Sequence, residues 1–218
     1  MPNPAFRAVL FDFGGVLTES PFRAFAHFER SRGLPEGFLR RVNSIDPDAN
    51  AWARYERSEV TLEEFDRAFE AESRQLGYPV RGTEIVWLLY GELRPSMVEA
   101  LRRCGAHYLT ACLTNNVNTG SGHGLPTFVE RAAEVQRILD LFDVVIESSK
   151  TGARKPEPRF YEMALAQLRI EPQQAVYLDD LGVNLKPARA MGMTTIKVES
   201  APQALAELER ILDLPLTY

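Results

Sequence analysis

Short apolar runs that end at polar residues recur along the chain and predict buried strands. Ala8–Phe11 is a continuous apolar run that stops at Asp12, and two glycines follow shortly, as expected for a buried strand and a tight turn. Apolar residues at helical spacing separate the later runs. The chain therefore alternates strand and helix, which indicates a doubly wound parallel sheet with helices on both faces. The further strands are predicted at 108–113, 144–146, 175–178 and 194–198, and the helices between and after them at 98–103, 128–141, 159–168 and 202–212.

A long segment after the first strand has helical spacing and no clear strand pattern. Ser20-Pro21 predicts a helix start with Ser20 as the N-cap. Thr61 and Glu64 fit a capping box at the start of another helix. The predicted organisation is an α/β core with an all-helical domain inserted directly after its first strand. The core is assigned to residues 1–18 and 95–218, and the insertion to residues 19–94.

Composition narrows the class of protein. The chain has 218 residues, with 25 Lys and Arg against 30 Asp and Glu, and its formal charge of −5 argues against a nucleic-acid partner. Its apolar runs fall well short of the roughly 20 residues of a membrane span, and no basic segment leads into an apolar run at the N-terminus. Two cysteines, Cys104 and Cys112, make neither a disulfide framework nor a zinc site. We expect a cytoplasmic protein without a membrane partner, while the oligomeric state stays open.

Polar residues follow four of the predicted strands, at the edge where ligands bind in open α/β sheets. Each alone has an ordinary explanation, such as a turn, a helix cap or a solvated lysine. Four such residues or pairs at four strand ends are harder to explain separately. Together they suit a phosphoryl group and a divalent cation, because carboxylates bind Mg²⁺ and can also act as nucleophiles. The residues are Asp12, Thr114 with Asn115, Lys155, and Asp179 with Asp180.

In their order and local sequence these residues resemble the four motifs of the haloacid dehalogenase superfamily of aspartate-nucleophile hydrolases. Within it, the chain is similar to the N-terminal phosphatase domain of soluble epoxide hydrolase and its stand-alone bacterial relatives. The resemblance covers nearly the whole chain and implies a Rossmann-like core with a helical cap. The segments that carry it are 9–18, 113–116, 154–158 and 177–189.

The resemblance implies a role for each of these residues. Asp12 would be the nucleophile that forms an aspartyl-phosphate, and Lys155 would neutralise charge on Asp12 and on the phosphate. Asn184 would support the site from one layer further out. The resemblance also implies a phosphate site formed by Gly15, Thr114 and Asn115. It further implies an Mg²⁺ site formed by Asp12, the Gly14 carbonyl, Asp179 and Asp180. Which of Asp179 and Asp180 contacts the metal stays open.

One position departs from the family pattern. Phosphatases of this superfamily usually carry a second Asp two residues after the nucleophile, which protonates the leaving group, and here that residue is Gly14. General acid–base help is typically worth roughly 10²–10⁴-fold in rate. Three interpretations stay open: hydrolysis of phosphates with good leaving groups, replacement of the acid by Glu19 or another group of the insertion, or phosphate binding with poor turnover.

The predicted function is therefore an Mg²⁺-dependent phosphatase of a small phosphomonoester. The alternatives are a phosphate-binding or regulatory protein with vestigial activity and, less favoured, a dehalogenase-type hydrolase. A second hydrolase domain for epoxides is not expected beside core and cap. Aromatic residues of the insertion, at positions 22, 25, 28, 52, 55 and 87, either line an apolar pocket or, the commoner case, form the insertion's own core. Arg54 and Arg57 are read as a solvated face or a second anion site, and the loop at His123 as one without a catalytic role.

Overall fold

The computed structural model describes residues 2–89, 91–117 and 126–216, with the backbone alone for 126–132. The loop around His123 lies outside these residues. The described strands form one parallel sheet in the order β3-β2-β1-β4-β5, as the alternating pattern predicts. The strands are β1 (Ala8–Phe11), β2 (Leu109–Thr114), β3 (Val144–Glu147), β4 (Ala175–Asp179) and β5 (Thr194–Lys197).

Helices connect and flank these strands. Five lie between β1 and the rest of the sheet in sequence: α1 (Pro21–Ser31), α2 (Phe38–Ser44), α3 (Ala51–Glu56), α4 (Leu62–Gln75) and α5 (Gly82–Val86), followed by a 3₁₀ turn at Trp87–Leu89. The others alternate with the strands: α6 (Pro95–Gly105), α7 (Pro126–Leu139), α8 (Ser148–Thr151), α9 (Pro158–Leu168), α10 (Gly182–Met191) and α11 (Ala201–Leu212), with a second 3₁₀ turn at Pro172–Gln174.

Both faces of the sheet are covered. Successive residues of β1 point to opposite faces, so Val9 and Phe11 pack with residues of α6 and α11. Ala8 and Leu10 pack on the other face with residues of α9 and α10. All four β1 residues are fully buried, which explains why this strand is continuously apolar rather than alternating.

The strand order places a ligand crevice at one point of the sheet edge. The chain runs outward from β1 to β2 and β3, then returns to lay β4 and β5 on the other side of β1. In open α/β sheets, ligands bind outside the carboxyl ends of the strands at such a reversal. Phe11 lies beside Leu178 in the register of β1 and β4. Asp12 and Asp179 therefore leave the sheet next to each other at the reversal.

The helices α1–α5 have an apolar cluster of their own. Phe25, Leu39, Tyr55, Phe65 and Phe69 are among its buried members. The chain enters and leaves this region along two adjacent segments, which are joined by an antiparallel bridge between residues 18 and 93 and by hydrogen bonds from the Glu19 N–H to the Glu92 carbonyl (2.7 Å) and from the Arg94 N–H to the Leu17 carbonyl (2.8 Å).

Local signals in this region have different outcomes. The Thr61 side chain accepts from the Glu64 N–H while the Glu64 carboxylate accepts from the Thr61 N–H, so the predicted capping box is confirmed. The helix predicted after Ser20 begins at Pro21, but the Ser20 side chain makes no capping hydrogen bond. Among the described residues, no helix is both long and apolar enough to cross a membrane.

Some elements are absent from the sequence prediction. Helices α2, α3, α8 and α10 are short or lack a clear apolar face, and α10 contains Pro187, a residue that usually breaks helices. The second strand begins one residue later than predicted and includes Thr114. These differences leave the predicted layers unchanged, because each affected helix is held by packing rather than by its own periodicity.

Candidate functional site

A lysine and two aspartates form the centre of the site, at the reversal point of the sheet. Lys155 Nζ lies 2.8 Å from Asp12 Oδ1 and 2.9 Å from Asp179 Oδ2. Lys155 is 1% exposed and Asp179 is fully buried, whereas Asp12 retains 8% exposure. The ammonium therefore joins the ends of β1 and β4, and of these three residues Asp12 is the most accessible.

Asp179 uses both carboxylate oxygens in hydrogen bonds within the protein. Its Oδ1 accepts from the Leu181 N–H (2.8 Å), and its Oδ2 accepts from the Tyr177 hydroxyl and from Lys155. The Asn184 amide lies 3.1 Å from both oxygens. A carboxylate surrounded by so many donors is fixed in position and has little capacity left for another ligand.

Asp180, unlike Asp179, is not enclosed by the protein. Its side chain is partly exposed, and its Oδ2 accepts a hydrogen bond from the Ser20 hydroxyl (3.0 Å). Gly15 passes directly against this carboxylate with a φ of +74°. A Cβ on Gly15 would overlap the Asp180 carboxylate, so a residue without a side chain is required here both for the backbone angle and for the close approach.

These carboxylates form a group that fits a divalent cation. Asp12, Asp179 and Asp180 each offer an oxygen, and the three oxygens lie within 4.8 Å of one another. Hard cations such as Mg²⁺ prefer carboxylate oxygens. Since Asp179 is saturated by internal donors, Asp12 and Asp180 have the greater free capacity for binding. Gly14 begins the turn after Asp12, and the space around its Cβ position is open.

Burial and mutual charge shift the pKa values of this group. Burial, together with the charge of Asp179, raises the pKa of Asp12 well above its usual range, although Lys155 opposes the shift. Burial also raises the pKa of Asp180, again with a contribution from Asp179. Burial by itself would lower the pKa of Lys155, but Asp12 and Asp179 outweigh it and raise the value, so the ammonium stays charged. The site is thus short of positive charge, as expected for one that takes a cation.

Thr114 is the last residue of β2 and Asn115 follows it, beside this group. Thr114 is buried at the end of the strand. The Asn115 side chain accepts from the Lys155 N–H (2.8 Å) and donates to the Lys155 carbonyl (3.0 Å). This pair of hydrogen bonds closes a ring on the backbone of Lys155. The family resemblance implies only a backbone N–H of Asn115 toward phosphate, whereas the structure gives its side chain a further contact, to the lysine backbone.

An open cleft of about 570 Å³ adjoins Asp180. Its walls include Gly15 and Val183 from the sheet edge and Phe22 and Arg40 from the helical insertion. Arg94 also faces it, donating to the Gly15 carbonyl (2.8 Å) and pairing with Glu19 (3.2 Å). The cleft thus lies between the two parts of the chain and reaches the carboxylate group from the Asp180 side.

Glu19 does not have the properties of a substitute acid. Its hydrogen bond with Arg94 lowers the pKa of its carboxyl below the usual value. A general acid at neutral pH needs a raised pKa. This finding argues against one of the interpretations that the sequence leaves open for Gly14.

The aromatic residues of the insertion mostly form its core, the commoner of the two cases considered from sequence. Phe25, Trp52 and Tyr55 are buried in its apolar cluster, and Phe22 and Phe28 pack against that cluster, although Phe22 also lines the cleft. Trp87 is 40% exposed. Of the two arginines, Arg54 is exposed, and Arg57 pairs with Glu59 and donates to the Asp48 carbonyl.

Several residues of the site escape sequence reasoning. Ser20 is predicted as a helix cap but contacts Asp180 instead, Arg94 has no local motif, and Tyr177 lies in a motif segment without an assigned role. Glu56 is read only as part of a helical segment, yet it contacts the loop that carries Lys155. The partners of Ser20, Arg94 and Glu56 are distant in sequence, so only the packing of the insertion on the sheet identifies these contacts.

Comparisons with known proteins identify the family of this chain. A family model described as "haloacid dehalogenase-like hydrolase" matches residues 6–192. "Phosphatase MT3486" of Mycobacterium tuberculosis is 30% identical over 94% of this chain and 96% of its own length. "Bifunctional epoxide hydrolase 2" of Sus scrofa is 31% identical over 97% of this chain, which spans only 40% of that protein.

Solved structures share the fold. A family enzyme from Bacteroides thetaiotaomicron, in complex with magnesium and inorganic phosphate, superposes with a TM-score of 0.59 at 19% identity, covering 93% of this chain and 98% of its own. That likeness concerns the fold alone, while the family model and the relatives extend it to the class of enzyme. The chain belongs to the haloacid dehalogenase-like hydrolases.

Proposed function

We propose that this protein is an Mg²⁺-dependent phosphatase of small phosphomonoesters in which Asp12 is the nucleophile. One observation carries the proposal: Asp12, held by Lys155 at 2.8 Å, lies beside a second and third carboxylate at the point of the sheet where a phosphoryl group would bind. Phosphoryl transfer depends mainly on positioning and charge stabilisation, and this arrangement supplies both. The names of similar phosphatases support the same reaction class.

The residues divide into two sets. Asp12, Asp180 and the Gly14 carbonyl would hold Mg²⁺, while Asp179 would orient Lys155 and the Asp180 loop as well as adding negative charge. Bound there, Mg²⁺ would offset the charge of the phosphoryl oxygens and favour the ionised form of Asp12. Thr114, the Asn115 N–H and Gly15 would contact the phosphoryl oxygens, and Asn184 would keep Asp179 in place.

The reaction would run in two steps. An Asp12 oxygen attacks phosphorus, the bond from phosphorus to the ester oxygen breaks, and the alkoxide or aryloxide leaves with the electron pair and takes a proton from solvent. Water then attacks the aspartyl-phosphate, which releases inorganic phosphate and restores the Asp12 carboxylate. Lys155 would stabilise the negative charge that develops during both steps. Because Gly14 offers no proton, leaving groups that are stable as anions should react best.

The helical segment 19–94 would act as a cap over this site. Its residues Phe22 and Arg40 line the cleft beside Asp180, and a cap that closes on bound substrate excludes water and selects the organic group. The exposed Val183 and the Phe22 ring offer apolar contact, while Arg40 offers charge. This mixture favours a small phosphomonoester over a polymer.

The test measures phosphate release from an aryl phosphate and from several alkyl phosphates, with and without Mg²⁺. Asp12→Asn is the matched control, because it keeps the size of the side chain and removes the nucleophile. We expect Mg²⁺-dependent release from the aryl ester and none from D12N, whose circular dichroism should match the wild type. Unchanged activity in D12N would contradict the mechanism in which Asp12 is the nucleophile. Phosphate binding without release from any ester would instead favour a phosphate-binding protein, the alternative that Gly14 supports.

A further inference from the structure

Glu56 is a buried acidic residue at the boundary between the helical insertion and the sheet. It ends α3 and is 7% exposed. Its Oε1 accepts from the Trp52 indole N–H at 2.9 Å, a contact within the insertion. Its Oε2 faces the other part of the chain, where it accepts from Arg154 Nε at 2.6 Å and lies 3.4 Å from the Asn115 amide nitrogen.

Both partners of the Glu56 Oε2 atom, Arg154 and Asn115, are directly connected to Lys155. Arg154 is its neighbour in sequence, and the Asn115 side chain holds the Lys155 N–H and carbonyl in a closed pair of hydrogen bonds. Lys155 Nζ in turn contacts Asp12. One carboxylate of the insertion is therefore two contacts away from the group that pairs with Asp12.

A contribution to stability does not by itself explain why the buried charge of Glu56 is present at this boundary. Replacing a buried ion pair by apolar residues is often neutral or stabilising, so such a pair is weak evidence for a stabilising role. Arg154 also donates to the Pro47 carbonyl at 2.9 Å, so the same guanidinium makes two contacts with the insertion. These contacts form only when the insertion is seated on the sheet edge in this arrangement.

We infer that Glu56 is a positioning residue that makes the placement of Lys155 depend on the seating of the insertion. This inference rests on the proposed function, in which Lys155 stabilises the charge of phosphoryl transfer. With the insertion seated, Glu56 fixes Arg154 and Asn115, and Asn115 fixes the Lys155 backbone. When the insertion moves away, the loop at 153–157 loses two of its anchors, and Lys155 is held less closely against Asp12.

The variant Glu56→Gln tests this role because it keeps size and removes charge. Its amide nitrogen would face one of the donors that the carboxylate now accepts from. The matched control is Ser58→Ala: the Ser58 hydroxyl donates to the Ser149 carbonyl at 2.9 Å across the same boundary but contacts neither Asn115 nor Arg154. Arg154→Met is a second variant that removes the core partner while leaving Glu56 in place.

Two measurements are made on the full chain. With an aryl phosphate and Mg²⁺, E56Q and R154M should each lose about tenfold in kcat with KM changed less than twofold, since small misplacements of a charge-stabilising group cost rate. S58A should keep the wild-type kcat. By hydrogen exchange, the peptide that covers 153–157 should exchange faster in E56Q than in S58A or in the wild type.

The outcomes separate the two proposals. Wild-type kcat and wild-type exchange at 153–157 in E56Q would overturn the role of Glu56 while leaving the phosphatase proposal intact. An equal loss in E56Q and S58A would also overturn it, because general seating of the insertion would then explain the effect. If the wild type releases no phosphate, the proposed function fails, and the exchange of 153–157 still decides whether Glu56 anchors that loop.

Discussion

The Ser20 hydroxyl donates a hydrogen bond of 3.0 Å to Asp180 Oδ2, although the two residues are 160 positions apart. Ser20 immediately precedes the first helix of the insertion, and Asp180 follows the fourth strand of the sheet. The contact therefore ties the entrance of the insertion to a carboxylate of the candidate site. It also lowers the pKa of Asp180, against the larger effect of burial.

Removal of this hydroxyl should weaken the fold. Ser20→Ala leaves a partly buried carboxylate without its donor, and a hydrogen bond to a charged group contributes about 1.5–3 kcal/mol. We expect the free energy of unfolding in urea at pH 7 to fall by about 1–2 kcal/mol, allowing for solvent at this site. Ser31→Ala is the control, because the Ser31 hydroxyl is exposed and donates to the nearby Phe28 carbonyl, within the same helix. Equal stability of S20A and wild type would contradict the role given to this contact.

Restoring the missing acid should extend the range of substrates. Apart from its two chain neighbours, no described residue has an atom within 4 Å of a Cβ placed on Gly14, and the backbone there needs no glycine. Gly14→Asp should therefore fold and should raise the hydrolysis of alkyl phosphates by roughly 10²-fold or more, with a smaller gain for aryl phosphates, whose leaving groups need less protonation.

Gly14→Asn separates acid chemistry from shape. It places a side chain of similar size in the same turn but carries no proton to donate. An equal gain in G14N and G14D would refute the explanation by a missing acid. A folded G14D without any gain on alkyl esters would show that another step limits turnover.

The effect of the close approach between Gly15 and the Asp180 carboxylate can be isolated by comparison with a second glycine, Gly37. Gly15 and Gly37 have φ angles of +74° and +71°, so alanine at either position incurs a similar backbone strain, about 1–2 kcal/mol. Only at Gly15 would the new Cβ also meet the Asp180 carboxylate, since the space around Gly37 is open.

Gly15→Ala must therefore move the Asp180 carboxylate, and Gly37→Ala must not. We expect G15A to lose about tenfold or more in Mg²⁺-dependent hydrolysis of an aryl phosphate, because the group that would bind the cation is displaced. G37A should keep the wild-type rate while losing stability in urea. If G15A retains full activity, the position of Asp180 is not critical to the site.

Both cysteines should resist modification in the native state. Cys104 and Cys112 are completely buried, and burial raises the pKa of Cys104 to about 12 and that of Cys112 well above its usual value. A thiol reagent at pH 8 should therefore react with neither in the folded protein and with both in denaturant. Rapid labelling of the native protein would contradict the packing of α6 and β2.

The same two thiols predict a fall in stability with pH. Their folded pKa values lie above the unfolded value of about 8.5, so the unfolded state loses protons first. The stability they contribute is complete below pH 8.5 and declines as pH rises toward the folded values. Between pH 8 and 9.5 the free energy of unfolding should fall, and Cys104→Ala should flatten that slope even though it leaves a small cavity. An unchanged slope would argue against this linkage.

The sequence alone determines the layers of the fold and the candidates at the sheet edge. An apolar run buried on both faces is a local property, and so is the polar residue that ends it. Asp12 and Thr114 could therefore be assigned to strand ends, and Lys155 to the loop beyond the third strand, without knowledge of any contact. The parallel order of the sheet then brings them together, because carboxyl ends of parallel strands share one edge. The capping box at Thr61 is equally local, and it too is confirmed.

The tertiary structure decides which side chains are satisfied and which are free. Asp179 and Asp180 are adjacent and identical in sequence, yet one is enclosed by Lys155, Tyr177 and Asn184 while the other faces a cleft. The sequence around them does not distinguish them, because Lys155 and most of the cleft walls come from other parts of the chain, although Tyr177 lies on the same strand as Asp179. The same holds for Ser20 on Asp180 and for Glu56 on Arg154. These contacts depend on how the helical insertion packs against the sheet, which joins residues that are far apart in sequence.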